Sequence, residues 1–315
     1  MRTLGVDIGA TTIKLAVVSD AGATEVESAF QTPQSSAREV ACALVAHVHD
    51  ILSAYPEIRR IGVGVPGAMN RDRSLVRYPP NLIGWKEEPL QAYLQELLPT
   101  FDLVEVDNDA KVAALAESRF GAGIGVSHFL LVTLGTGVGG CVWSTEGRWT
   151  GIYRGASGGA GEFGHMSIDL NGPPCNCGSR GCIEAYVGLN YLSERTKRKL
   201  ESNPAMSSKL SAQDELTPKI IADAMNNGDA FARSVFEEAG SLIGRALANV
   251  ANLLDMHVFI LGGGVAEAGP VLFDAALASL RANVLTNLRP VVEVRKAALG
   301  NRAGVIGAAL LVNGE

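Results

Sequence analysis

Apolar positions fall at helical intervals through residues 36–54, and Ser35 or Ser36 stands where the first turn needs a side-chain acceptor. Ahead of that helix the pattern is one of strands. Residues 3–9 and 12–18 read as two strands meeting at a tight Gly9-Ala10 turn, and residues 24–30 as a third. Arg60 to Val65 is a short strand closed by Pro66-Gly67. Residues 102–107 form another, followed by a helix from about 110 to 119.

The pattern then restarts. His128 to Leu134 predicts a strand, Gly135-Thr136-Gly137 a turn, and Val138 to Trp143 a strand. Each half therefore opens on strand, Gly/Thr turn, strand, a weak internal symmetry. The cysteine-bearing stretch that follows carries little regular pattern. Helices are expected over 217–227, 229–254, 270–285 and 303–312, and strands over 257–261 and 291–296. Strands alternating with helices in two blocks predict an α/β protein of two domains with a cleft between them.

Composition narrows the class. Of 315 residues, 47% are hydrophobic and 19% charged, enough to fill a soluble core. A net charge of −6 argues against a nucleic-acid surface. No apolar run reaches the roughly 18 residues of a membrane span. Asp7 falls where a signal peptide would have its apolar segment, so the expected compartment is the cytoplasm. There, clustered cysteines favour a metal over a disulfide. Cys42 and Cys141 lie in apolar stretches and are expected in the core.

Three glycine-rich turns suit phosphate. In Asp7-Ile8-Gly9-Ala10-Thr11-Thr12-Ile13-Lys14, Gly9 lets the backbone approach an oxyanion, and the turn amides with Thr11 and Thr12 can donate to it. Asp7 at the strand end can hold a hydrated Mg²⁺. Leu134-Gly135-Thr136-Gly137-Val138 repeats the arrangement, and Gly262-Gly263-Gly264 ends a strand before a helix. Each also suits an ordinary turn, and none is a Walker loop or a dinucleotide fingerprint. Two alike in two halves point to a nucleotide phosphate gripped from both.

In Asp107-Asn108-Asp109-Ala110, Asn108 or Asp109 can cap the following helix. Asp109 can also receive the proton of an attacking hydroxyl. An aspartate near its ordinary pKa of about 3.9 is a weak base for an alcohol. In a loose phosphoryl-transfer transition state that proton leaves late, so orientation matters more than basicity.

Cys175, Cys177 and Cys182, with His165 upstream, supply the four ligands of a closed tetrahedral zinc site with none to spare. Unligated or disulfide-bonded cysteines are the alternative. Saturated by protein ligands, the metal would be structural. It would fix Glu162, His165 and Glu184 in place. The other histidines, His47, His49, His128 and His257, show no partner pattern.

Taken in order, these motifs resemble the ROK family (repressor, open reading frame, kinase) of sugar kinases. The resemblance runs from Asp7 to Gly264 and the last helix. It rests on Asp7-Ile8-Gly9-Ala10-Thr11, Val65-Pro66-Gly67, Pro80-Asn81-Leu82, Asn108-Asp109-Ala110, Leu134-Gly135-Thr136-Gly137, Gly161-Glu162-Phe163-Gly164-His165 and the cysteine run through Glu184. It implies an actin/hexokinase-type ATPase fold. The N-terminal domain would be 1–118 joined by a C-terminal helix, 302–315; the second would be 119–301 with the zinc segment 161–184 inserted.

The resemblance also implies ATP- and Mg²⁺-dependent phosphorylation of a hexose, usually at the 6-hydroxyl, with Asp109 as base. Gly67, Asn81, Asn108, Asp109, Glu162, His165 and Glu184 would line the sugar. Asp7, Gly9, Thr11, Thr12, Lys14, Gly135, Thr136, Gly137 and Gly262 to Gly264 would hold the nucleotide. His165 would serve zinc and sugar with one ring nitrogen each. Ala10 replaces a common second glycine, and Lys111 a common asparagine. The family implies a homodimer and includes kinases for N-acetylmannosamine, N-acetylglucosamine, mannose, fructose and allose. Some relatives use polyphosphate. Pro80-Asn81-Leu82-Ile83-Gly84-Trp85 is similar to glucokinases. The family's repressors carry an N-terminal DNA-binding domain, which the phosphate hairpin at residue 7 leaves no room for here.

Overall fold

Leu4, Val6 and Ile8 alternate with Gly5 and Asp7 along β1 (Arg2–Ile8), and that alternation assigns the layers of the first sheet. The computed structural model describes residues 1–146, 151–203 and 207–313. They divide into two compact units: Met1–Ser127 with Trp143–Gly161 and Ala298–Glu315, and His128–Val142 with Glu162–Ala297. The division falls at 127, against the expected 118, and residues 143–161 belong to the first unit.

In the first unit β1 pairs antiparallel with β2 (Thr12–Ser19), and β2 with β3 (Thr24–Gln31). Next come α1 (Ala37–Ala54), β4 (Arg60–Val65), a small sheet of β5 (Ala68–Met69), β6 (Val76–Arg77) and β7 (Glu87–Glu88), α2 (Leu90–Leu97), β8 (Leu103–Asn108) and α3 (Asp109–Phe120). β4 runs parallel to both β1 and β8. The N-terminus of α1 is closed by a capping box. Ser36 accepts from the Glu39 amide, and the Glu39 carboxylate accepts from the Ser36 amide at 3.1 Å.

Leu4, Val6, Ile8, Ile61, Val63 and Val65 share one core with Val40, Leu44 and Val48 of α1. Glycines occupy the opposite parity. A Cβ on Gly5 would stand 2.0 Å from the Val305 carbonyl oxygen, and one on Gly62 1.8 Å from that of Ala308. The last helix therefore lies backbone against backbone on this face.

The strand order then repeats in a second sheet, built mainly by the second unit. β9 (His128–Leu134), β10 (Val138–Ser144) and β11 (Gly151–Ile152) precede α4 (Glu184–Val187), α5 (Leu189–Ser202), α6 (Pro218–Asn226) and α7 (Ala230–Leu254). After these come β12 (Val258–Gly262), α8 (Pro270–Asn283), β13 (Glu293–Lys296) and α9 (Ala303–Leu311), the last returning to the first unit. The orders β3-β2-β1-β4-β8 and β11-β10-β9-β12-β13 place hairpin and parallel strands alike, so the weak internal symmetry of the sequence is a repeated topology. Residues 314 and 315 of the helix expected over 302–315 lie outside the described residues. Among the described residues no helix is long and apolar enough to cross a membrane.

Candidate functional site

The turn after β1 is shaped around Gly9. Its amide donates to the Thr12 carbonyl at 3.0 Å, and a Cβ there would sit 2.8 Å from that oxygen. The turn is held from outside: the Thr32 hydroxyl donates to Gly9 O at 2.7 Å, and the Gln34 amide to Ala10 O at 3.1 Å. A Cβ at Ala10 is accommodated, and Thr11 is exposed. Asp7 pairs in register with Lys14. Burial raises the Asp7 carboxyl above its ordinary range, and Lys14 opposes that shift. The carboxyl packs against Gly304 near the start of α9.

Asn108 caps α3 and orients Asp109. Its side-chain oxygen accepts from the amides of Ala110 and Lys111 at 3.0 and 3.1 Å. Its amide nitrogen donates to Gly67 O and to Asp109 Oδ1, both at 3.0 Å. Its two donors and two acceptor positions are thus all engaged within the chain. Asp109 Oδ1 also accepts from the Ala110 amide at 2.8 Å. The capping reading of this motif therefore falls on Asn108, and the half-buried Asp109, first residue of α3, gains from the helix N-terminus. Gly67, at φ 103°, approaches Pro79, two residues from Asn81.

In the second unit two glycine runs meet at one sheet edge. β12 runs parallel to β9 with Gly262 opposite Thr133. Gly263 has φ 89°, and a Cβ there would stand 2.4 Å from the Leu134 carbonyl oxygen. Gly135 to Gly137 and Gly262 to Gly264 thus lie side by side beyond the C-terminal ends of parallel strands. Gly264 opens a short 3₁₀ turn, Gly264–Ala268.

The cysteine segment is held by loop hydrogen bonds. The Cys175 amide donates to Ser179 O at 2.9 Å, Gly181 N to Pro173 O at 2.8 Å, and Ile183 N to Met166 O at 2.9 Å. The four ligand atoms of His165, Cys175, Cys177 and Cys182 lie within 4.8 Å of one another. Cys177 Sγ is 3.6 Å from Cys182 Sγ, and Cys175 Sγ is 3.8 Å from His165 Nδ1. Tetrahedral zinc with Zn–S bonds near 2.3 Å has ligand–ligand edges of about 3.5–3.8 Å, so the donor set fits that ion. Nδ1 faces the sulfurs, which leaves Nε2 for a second partner.

Burial pushes the Cys175 thiol up to about 12. Burial and the Cys177 sulfur also raise Cys182. Burial opposes ionisation of Cys177 too, yet the Ser179 amide and the other two thiols draw it below the ordinary value. Glu184 lies at the same knot: Oε1 is 3.9 Å from Cys175 Sγ, and Oε2 accepts from the Val138 amide at 2.8 Å. Glu162 is exposed, and its backbone carbonyl accepts from the His165 amide at 3.1 Å.

Two clusters were not visible in the sequence. Asp107, fully buried, lies 2.6 Å from the Arg154 guanidinium, and Glu105 lies 2.8 Å from that of Arg73. Lys111, also buried, donates to Gly158 O at 2.5 Å. Both tie β8 and the start of α3 to the segment around 154–158. The i, i+2 carboxylates on a strand were the available signal, but their arginines are remote in sequence. Cys141 is buried as expected, whereas Cys42 is exposed. Cys42 follows Ala41 on α1 and falls outside the inward stripe of Ala41, Leu44, Val45 and Val48. His47 stacks on Phe30 at 3.9 Å, and His257 contacts Asp255 at 3.1 Å.

Known proteins resemble this chain along its whole length. A glucokinase of Halalkalibacterium halodurans is 36% identical over 324 residues, covering 98% of this chain and 94% of its own. The crystal structure of a ROK family glucokinase from Streptomyces griseus in complex with glucose and AMPPNP is similar at 33% identity and TM-score 0.83, with 99% of each chain covered. A xylose repressor of Bacillus subtilis is 28% identical over 98% of this chain and 76% of its own length. Residues 3–315 match the ROK family, and the chain belongs to it.

Proposed function

We propose that this sugar kinase transfers the γ-phosphoryl group of ATP to the 6-hydroxyl of a hexose, glucose before others. The observation that carries the reading is the pair Asn108–Asp109, with a carboxylate fixed by two donors at a helix N-terminus. Asp109 accepts the proton as the sugar oxygen bonds to phosphorus and the bond to ADP breaks. Asn108, whose own hydrogen bonds are engaged, sets its direction from beside Gly67. Asn81, Glu162, His165 Nε2 and Glu184 Oε1 pair with sugar hydroxyls, which suit neutral amides and carboxylates as partners.

Asp7, with Lys14, Gly9, Thr11 and Thr12, faces the phosphates and would hold a hydrated Mg²⁺, which neutralises phosphate charge when bound. Gly135, Thr136, Gly137 and Gly262 to Gly264 receive the rest of the nucleotide. His165 and the three cysteines would hold zinc, which would supply rigidity to the segment. The relatives at 36% and 33% identity, both glucokinases by name, support glucose.

ADP release measured across a panel of hexoses and N-acetylhexosamines, with ATP and then polyphosphate as donor, tests this. Turnover is expected with ATP and highest with glucose. A higher kcat/KM for another sugar would replace glucose, and no turnover with any sugar would remove the kinase reading. The repressor relative supports a second reading, DNA binding, which a low-salt gel shift on promoter DNA tests. We place the protein in the cytoplasm as a homodimer. Exposed Leu253 and Leu285, at 81% and 60%, are consistent with a buried partner face, and sedimentation velocity reads the oligomeric state.

A further inference from the structure

The turn Gly135-Thr136-Gly137 is gripped by the cysteine knot. Glu184 follows Cys182 by two residues, and its Oε2 accepts from the Val138 amide at 2.8 Å. Five residues on, the Leu189 amide donates to the Gly135 carbonyl at 2.9 Å. One short segment leaving the last cysteine thus holds the turn at both ends. A third contact comes from the other side of the knot. Gly164, next to the ligand His165, lies against Val138 so closely that a Cβ would stand 2.0 Å from its carbonyl oxygen. The fit leaves little slack within the turn, since a Cβ on Gly137 would stand 2.7 Å from Glu184 Oε2.

The turn's own closure is a single hydrogen bond, Gly135 N to Gly137 O at 2.9 Å. A three-residue turn so closed depends on its surroundings for a fixed geometry. The segments that supply those surroundings, 162–166 and 182–189, are joined by the Ile183 amide, which donates to Met166 O at 2.9 Å, and are anchored by the buried side chains of Phe163, Ile183 and Val187. Only the one-turn α4 and the three-residue Phe163–His165 lie in them before α5 begins. The four-ligand cluster adds a further tie between the two segments, through His165 in one and Cys182 in the other.

We propose that the metal knot positions the nucleotide turn Gly135–Gly137 through Glu184, so that loading the knot sets nucleotide affinity as well as the sugar site. In this role Glu184 is a positioning residue whose Oε2 acts on the turn, while Oε1 remains with the sugar side. This rests on the kinase reading above, because the turn is assigned to nucleotide there.

The test is ADP binding by calorimetry in the absence of sugar, on the full zinc-loaded chain, on the same protein stripped by a chelator, and on Glu184→Ala and Glu184→Gln. Stripping or Glu184→Ala is expected to raise the ADP Kd by about five- to tenfold, the effect of one lost hydrogen bond. Glu184→Gln, which keeps an acceptor for the Val138 amide, is expected to bind within about twofold of the unaltered protein. Equal ADP affinity in all four samples overturns the inference and leaves the kinase reading intact. No ADP binding by the loaded, unaltered protein overturns the kinase reading itself.

Hydrogen exchange on the unaltered protein decides the case if Glu184→Ala does not fold. Chelation is expected to speed exchange in residues 134–142 together with 162–184, while α7 keeps its protection. Unchanged exchange over 134–142, or loss of protection spread through α7, overturns the inference.

Discussion

A Cβ on Gly304 would stand 2.5 Å from Asp7 Oδ2 and 2.6 Å from its Cγ, so the carboxyl occupies the space that a side chain at the start of α9 would fill. Gly304→Ala must push either the helix or the carboxylate away. The Mg²⁺ concentration for half-maximal activity is expected to rise by about tenfold, a shift of ~1.4 kcal/mol. Sugar KM should stay unchanged. A Mg²⁺ titration checks this, and an unshifted curve would mean that Asp7 does not depend on that seat.

Asp7 also makes stability depend on pH. Below the ordinary carboxylate range both folded and unfolded chains carry the proton. As pH rises, the unfolded chain ionises first, because burial holds the folded carboxyl higher. Stability attributable to this group therefore falls from the ordinary value up to the raised folded one, and is level beyond it. In Mg²⁺-free buffer, Asp7→Asn is expected to melt above the unaltered protein at neutral pH and to match it in acid. Thermal melts at the two pH values read the difference.

Asp109→Asn and Asp109→Ala should leave sugar binding largely intact and lower turnover by at least the ~10²–10⁴-fold of lost acid–base catalysis. Glucose binding by calorimetry and turnover by ADP release separate the two effects. Near-normal turnover in either variant would remove Asp109 from the base role.

Stripping the metal, or Cys177→Ala, is expected to abolish sugar binding by disordering the segment that carries Glu162, His165 and Glu184. Calorimetric titration with glucose measures it. Normal affinity in the metal-free protein would show that the cluster decorates the site without framing it.

Much of this was legible in the sequence because it is local. Period-2 and period-3.6 patterns gave both hairpins, a cap at Ser35 or Ser36 and the long α7, and a Cys₃His set offers a full complement of zinc ligands. Elements with weak local signals escaped. α2 buries only Leu90 and Leu94 and has no side-chain cap, and α5 buries little besides Leu192 and Thr196 in a strongly polar stretch. The partners of Asp107, Glu105 and Lys111 escaped for another reason. They come from residues 73 and 154–158, and no spacing within β8 or α3 announces a contact across some 30 to 50 residues. A cap at Asn108 or Asp109 was legible, but the choice of Asn108 and the commitment of its every donor and acceptor were not.

The glycine face of the first sheet should be intolerant of any side chain. In Gly62→Ala the new methyl would meet the backbone oxygen of Ala308 at 1.8 Å, and backbone cannot rotate aside as a side chain can. A loss of more than about 2 kcal/mol is expected in denaturant unfolding, at the upper part of the range for overpacking. A loss below half of that would mean α9 can slide on the sheet.

That contact also sets an order of events. The sheet of residues 2–108 receives its second layer from residues 303–311, so its glycine face stays open to water until those residues have been made. A ribosome adding about 5–20 residues per second leaves the nascent sheet half-covered for roughly 10–40 seconds. The second unit, whose residues 162–297 emerge in that interval, can complete its own core first. The half made last is thus finished before the half made first, and chaperone contact with the nascent chain should concentrate on β1 and β4.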